Sequence, residues 1–393
     1  MQEFATSTYA EAADAQSLSL GVAISEDHGV SLNGRLHTGP NADLSRVFPA
    51  QPPRREDTLN RLREGPIALA IGGYLSPQIN EAVNLKFQEI LVGGYSDMTL
   101  TPEELEKWAA HRAKVKIDVQ RFQFGVYVPV LPPPEEVKAE DNQQPIKGKP
   151  PAPKAKPEEP VHSAPDPNHL ALVRSLVLVL TVENSKEALA AIENWFATMP
   201  VPLEKVVGDA ESAVIITPRR VEYLGLLCLQ SGDISPNPAV PVDWPHLIIA
   251  PADERTLLVV CGGVQELEQA LVPFQALGRN ILQQEIVHEA VGCLPTSSAT
   301  VAVFDGGKLA SILSLYLSGS EEMTTYALIL QTYSGLIQED SLLALGVGWE
   351  NSNLDVTARL TPGFMKTLGA FGTSFGLFRA AVSGPIPKGN MKK

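Results

Sequence analysis

The sequence predicts an α+β protein. The expected organisation is a mixed α/β N-terminal domain over residues 1–131, a proline-rich linker or exposed arm over 132–168, and a helix-rich C-terminal α/β domain with a few strands over 169–393. A predominantly α C-terminal domain is the alternative. Three observations predict this. Residues 132–168 hold 11 of the chain's 32 prolines and no aromatic side chain, a composition that cannot bury enough apolar area to offset the entropy of ordering. Ahead of that stretch, apolar residues recur at strand spacing and at helix spacing in turn. From Gln265 onward the pattern is mostly helical, broken by a strand at Thr300 to Phe304.

The elements follow in order. Leu18 to Ile24 and Val30 to Leu36 alternate in polarity on either side of Glu26-Asp27-His28-Gly29, which reads as a hairpin. Ile67 to Ile71 is a short apolar strand that runs into Gly72-Gly73. Ser76-Pro77 opens a helix with Ile79, Val83 and Phe87 on one face. Thr101-Pro102-Glu103-Glu104 starts a second helix with a capping box, running to about His111. A long strand then alternates from Val115 to Val128, with one change of phase near Gln120 that requires a bulge.

After the proline-rich stretch, Val173 to Val182 reads as a buried strand. Asp166-Pro167 also begins a helix well, so Leu170 to Val182 reads alternatively as a core helix. Ser185 to Met199 is a helix stopped by Pro200. Ala213 to Thr217 is a short strand, Arg219 to Gln230 a helix opened by Thr217-Pro218, and His246 to Ala250 and Thr256 to Val260 are strands.

Composition narrows the function. Lys and Arg number 31 against 45 Asp and Glu, a formal charge of −14, which excludes a polybasic nucleic-acid binder. Cys228, Cys261 and Cys293 are too few and too scattered for a disulfide framework and read as reduced thiols. The first 17 residues carry Glu3, Glu11 and Asp14 with no basic start or apolar core, so no secretory signal is expected. The most apolar run, Leu170 to Val182, contains Arg174 and falls short of the roughly 18–20 residues of a membrane span. A cytoplasmic location is expected, or a virion if the protein is viral.

No catalytic pattern survives inspection, and no catalytic, cofactor or metal residue is assigned. Glycine pairs at Gly72-Gly73, Gly262-Gly263 and Gly306-Gly307 stand between apolar runs and helical patterns, where backbone N–H groups could meet a phosphate. Lys308 follows the last pair as in a P-loop, but Ala302 and Leu309 occupy positions that motif reserves for Gly and Ser or Thr. Gly346-Val347-Gly348 begins a dinucleotide fingerprint and fails at Asn351. Gly372-Thr373-Ser374-Phe375-Gly376 matches a nucleophile elbow, yet the last histidine, His288, precedes it, so no esterase triad in the usual order exists. Gly369, Gly372 and Gly376 instead make one bare helix face for close packing or assembly.

Two basic sets are candidate nucleic-acid contacts: Arg54, Arg55, Arg61 and Arg63, and Lys107, Arg112, Lys114 and Lys116. Against them stands the charge poverty of residues 300–382, where only 11 of 83 residues are charged. A lone soluble domain carries more surface charge than that, so another molecule is expected to cover this region. The expected function is therefore a non-enzymatic self-assembling structural protein, a viral capsid or coat subunit, whose partner is a further copy of itself. A nucleoprotein-type subunit that coats RNA is the first alternative, and a cytoplasmic α/β enzyme with a dispersed active site the second. The proline-rich arm is a spacer or a ligand for a partner domain.

Overall fold

The computed structural model describes residues 15–25, 29–38, 54–75, 101–112, 117–129, 167–198, 218–230, 246–318, 324–337, 341–350 and 353–369. Twelve strands are present among them: β1 (Ala15–Ser25), β2 (Gly29–Thr38), β3 (Ile67–Tyr74), β4 (Val119–Tyr127), β5 (Leu176–Val182), β6 (Arg219–Tyr223), β7 (Leu226–Gln230), β8 (His246–Asp253), β9 (Thr256–Gly262), β10 (Ser298–Asp305), β11 (Leu342–Glu350) and β12 (Asn353–Leu360). The helices are α1 (Pro102–Arg112), α2 (Pro167–Arg174), α3 (Ser185–Ala197), α4 (Val264–Leu271), α5 (Glu285–Gly292), α6 (Gly306–Ser318), α7 (Thr324–Leu336) and α8 (362–369).

All twelve strands join one open sheet in the order β1-β2-β12-β11-β10-β3-β4-β5-β9-β8-β7-β6, with antiparallel neighbours throughout. Strands from either side of the proline-rich stretch alternate within it: β2 pairs with β12, β3 with β10 and β4 with β5.

The period of two gives the sheet two apolar faces. On one, Val177 and Val179 of β5, Leu258 and Val260 of β9, Ile248 of β8 and Val301 and Val303 of β10 pack beneath Leu59, Leu62, Leu267 of α4 and Val287 and Val291 of α5. On the other, Leu180 and Val182 of β5, Leu257 and Val259 of β9 and Ile249 of β8 meet Leu189 and Ile192 of α3. Each fully buried aliphatic side chain contributes about 1.5–3 kcal/mol. Helix α6 rests against β3 and β10, and α7 against α6.

Local chemistry explains many of the elements. Asn184 caps α3 by accepting from Lys186 N (3.0 Å) and Glu187 N (3.2 Å). Leu189, Ile192 and Trp195 then recur at helical spacing toward the sheet. The capping box at α1 forms: Glu104 N–H donates to Thr101 Oγ1 at 3.3 Å, and Thr101 N–H to Glu104 Oε2 at 3.0 Å. The bulge in β4 falls at Gln120, where the register against β5 slips between Val119 and Arg121. The segment at 167–182 splits: α2 ends at Arg174, Ser175 turns back onto Leu172 O, and β5 begins at Leu176.

The helix-rich C-terminal domain is overturned, and the predominantly α alternative with it. Eight strands, β5 to β12, lie between residues 176 and 360. Arg219 to Gln230 forms the hairpin β6–β7 instead of a helix, because Leu224 (φ 54°) and Gly225 (φ 77°) take the two left-handed positions of a tight turn. Residues 342–350 and 353–360 form β11 and β12. Gly346 and Gly348, read above as part of a failed nucleotide motif, are strand residues where a side chain would strike Ser298 Oγ (2.7 Å) and Ser297 O (2.6 Å).

The helix expected from Ser76, the strand at 213–217 and almost all of the proline-rich stretch lie outside the described residues. Among the described residues no helix is long and apolar enough to cross a membrane.

A close backbone approach fixes the segment 54–66 on the sheet: a Cβ at Gly72 would lie 1.7 Å from Thr58 O. Gly72→Ala is expected to cost about 1–3 kcal/mol or more by overpacking. Gly292→Ala, where a Cβ meets open space, is expected to be neutral or stabilising. Urea unfolding midpoints of the two variants check this.

Candidate assembly surface

Two clefts offer polar groups. The first, of about 820 Å³, lies beside the start of α6 and is lined by Glu285, Glu289, Asp305, Lys308 and Ser311 among others. Asp305, Lys308 and Ser311 are already engaged. Asp305 Oδ1 accepts from Gly307 N (3.1 Å) and Lys308 N (3.0 Å), Asp305 Oδ2 meets Lys308 Nζ at 2.7 Å, and Ser311 Oγ donates to Gly307 O at 3.1 Å. The chain's own carboxylate thus occupies the helix N-terminus that a phosphate would need. Glu266 closes α4 in the same way, accepting from Gly263 N at 2.8 Å.

The second cleft, of about 590 Å³, brings Arg61, Arg121 and Arg255 together with Asp57, Asp253 and Glu254. Three acids balance three guanidinium groups, so no net positive field is left for a phosphate. Arg121 donates to Asp57 O (3.3 Å) and lies 4.7 Å from the Tyr74 ring centre. Arg255 donates to Gln120 Oε1 (2.8 Å). Arg61 stacks over Phe274 at 4.8 Å and approaches Asp253 at 3.5 Å. Burial leads the causes that raise the Tyr74 phenol, with Arg121 opposing it. Among the described residues no three of His, Cys, Asp and Glu gather as metal ligands.

Members of the first basic set take separate partners within the chain. Arg54 is exposed. Arg55 donates to the carbonyls of Gly292 and Leu294, tying the 54–66 segment to the end of α5. Arg63 lies over the Tyr127 ring at 4.0 Å, and Tyr127 in turn donates to Arg63 O at 2.9 Å. Lys107 pairs with Glu103 at 3.0 Å on the exposed side of α1. Arg112 ends α1, while Lys114 and Lys116 lie outside the described residues. The neighbouring His111 is buried, stacked on Trp195 and bonded to Trp195 O at 2.9 Å, so it anchors α1 to α3. Gly369 ends α8, where a Cβ would meet nothing within 4 Å; Gly372 and Gly376 lie outside the described residues.

The feature that stands apart is apolar. Helices α6 and α7 have thirteen residues each, and Lys308 is the one charged residue in either. Leu313, Tyr316, Tyr326 and Leu328 on these helices are 44–60% exposed, and Met365 and Leu368 of α8 are exposed as well. Ser314 Oγ joins the two helices by donating to Ala327 O at 3.1 Å. Sequence reasoning finds the poverty of charge here but not the outward side chains, since helical periodicity cannot say which face a neighbour covers.

Comparison with known protein families, curated proteins and solved structures finds no match to this chain.

The thiols divide by environment. Burial pushes Cys261 up to about 11 and raises Cys228, whereas Cys293 is exposed. At pH 8 a disulfide reagent is expected to titrate one thiol rapidly in the native protein, and Cys293→Ser should abolish that fast phase. Above pH 9 the unfolded chain ionises its thiols first and the folded Cys261 only near 11. Stability should therefore fall as pH rises through that window, as urea titrations at successive pH values would show.

Proposed function

We propose that this protein is a non-catalytic building block, a capsid- or coat-type subunit, that assembles with copies of itself through the surface of α6, α7 and α8. The observation that carries the reading is the α6–α7 pair: two thirteen-residue helices that share one charged side chain, already neutralised by Asp305, and bear large apolar groups on the outside. Large apolar side chains gathered on an exterior mark an interaction surface. Burying each such side chain against a neighbour contributes up to about 1.5–3 kcal/mol.

Other covers fit less well. A thirteen-residue helix is about 20 Å long, short of the roughly 30 Å hydrocarbon core. Interfacial helices carry a Lys- and Arg-rich polar face, which α6 and α7 lack. A nucleic acid needs free cations, yet Arg55, Arg61 and Arg63 hold the chain's own carbonyls, carboxylates and rings. Extended contacts between obligate subunits, by contrast, resemble a domain core cut in half.

Leu313 and Tyr326 are exposed, so Leu313→Glu with Tyr326→Glu should leave the circular dichroism spectrum intact. The expected result is loss of species larger than a dimer by light scattering and negative-stain microscopy, with nuclease leaving the parent assembly unchanged. Assembly beyond a dimer that persists in the double variant, or that dissolves with nuclease, contradicts the proposal.

A further inference from the structure

The two ends of the sheet differ. At one end, β6 is five residues long and carries Arg219, Arg220 and Glu222, and short, charged edges are how proteins keep a strand from pairing with another chain. At the other end, β1 is eleven residues long with neither a charged residue nor a proline. Among the described residues no strand lies beyond β1. Leu18, Leu20, Val22 and Ile24 point to one side of it and are 66–80% exposed, and Leu32 of β2, across from Val22, is exposed beside them.

We propose that β1 pairs antiparallel with β1 of a second copy about a two-fold axis at Gly21, so that one sheet runs through both subunits. The proposal rests on the self-assembly reading above and names its two-fold contact. A two-fold contact needs a surface complementary to itself, and the segment from Ser17 to Ser25 reads alike from either end. Around Gly21, Leu20 comes opposite Val22, Ser19 opposite Ala23, Leu18 opposite Ile24, and Ser17 opposite Ser25. Every apolar residue thus meets an apolar residue of the partner and every small one a small one, all on matching faces. A one-residue slip would set large against small, so the pattern selects the register.

Charge agrees with this occupant. The strand offers an ionic partner nothing, and self-pairing opposes no like charges. Size agrees as well. Nine residues at about 3.4 Å each make a ribbon of roughly 30 Å. Along it each exposed apolar side chain gains an apolar neighbour from the other copy.

Gly21 tolerates a side chain, since a Cβ there would lie 3.9 Å from Asn33 O. Directly opposed residues of antiparallel strands sit at about 4.5–5.5 Å between Cα atoms, within disulfide reach. In a Cys293→Ser background, Gly21→Cys is expected to form a covalent dimer under mild oxidation. Two charge variants test the register. Ser19→Glu with Ala23→Glu sets glutamates opposite one another and should weaken self-association roughly tenfold or more. Ser19→Glu with Ala23→Lys sets opposite charges together and should associate like the parent. In both variants the carboxylate introduced by Ser19→Glu lies across from Arg35 of the same subunit, the cross-strand partner of Ser19.

Absence of the disulfide, with both charge variants assembling equally, overturns the β1 contact but leaves assembly through α6 to α8 standing. A parent chain that stays monomeric removes both. A disulfide that forms only after residues 370–393 are deleted assigns the edge to the chain's own tail and overturns the proposal.

Discussion

Twelve antiparallel strands in one open sheet create two faces and two edges, and each of these four surfaces must be covered, charged or paired. The rest of the structure follows from how far the chain meets that demand itself. Around β5, β8 and β9 it does: α3 closes one face, and the 54–66 segment with α4 and α5 closes the other. Around β1, β2 and β12 one face is closed by polar chemistry. Arg35 grips Asp355 through two bonds (2.6 and 3.0 Å), His37 meets Asn353 at 2.9 Å, and Arg359 donates to Ser31 at 2.7 Å. The opposite face there exposes Leu18, Leu20, Val22, Ile24, Leu32 and Val356.

The arginines show the same logic at smaller scale. A guanidinium group reaches two carbonyls or a carboxylate and a ring at once. The 54–66 segment has little regular structure of its own, and it is held by such contacts at Arg55, Arg61 and Arg63. In sequence these residues resemble phosphate ligands, because a cluster of cations near aromatic residues looks the same in either role. Spacing reports that cations are close in the chain and says nothing of the carbonyls that long-range folding brings to them.

Legibility followed range. The β1–β2 hairpin, the capping box at Thr101, the bulge at Gln120 and the α3 boundary near Ser185 were readable because each is set by neighbours a few residues apart. The β6–β7 hairpin was missed because a Leu-Gly pair is a weak turn signal and Leu224 must adopt a left-handed conformation that leucine disfavours. β11 and β12 were missed although Leu343, Leu345, Val347 and Trp349 alternate clearly and Asn351-Ser352 is a turn signal in the sequence; the glycines among them drew attention toward nucleotide motifs. Sheet order was beyond reach, since pairings such as β2 with β12 join residues more than three hundred positions apart. The exposed apolar surface of α6 to α8 was half visible: charge poverty in residues 300–382 was plain, but which helix faces point outward depends on that order.

The central claim is that the apolar exterior of this fold is an interface between copies. Sedimentation velocity of the full chain over a dilution series tests it most directly. The account predicts species heavier than one 42.3 kDa chain that dissociate on strong dilution and that fall to no more than a dimer once charges are placed on α6 and α7. A single monomeric boundary at every concentration, with no aggregate formed, would contradict it.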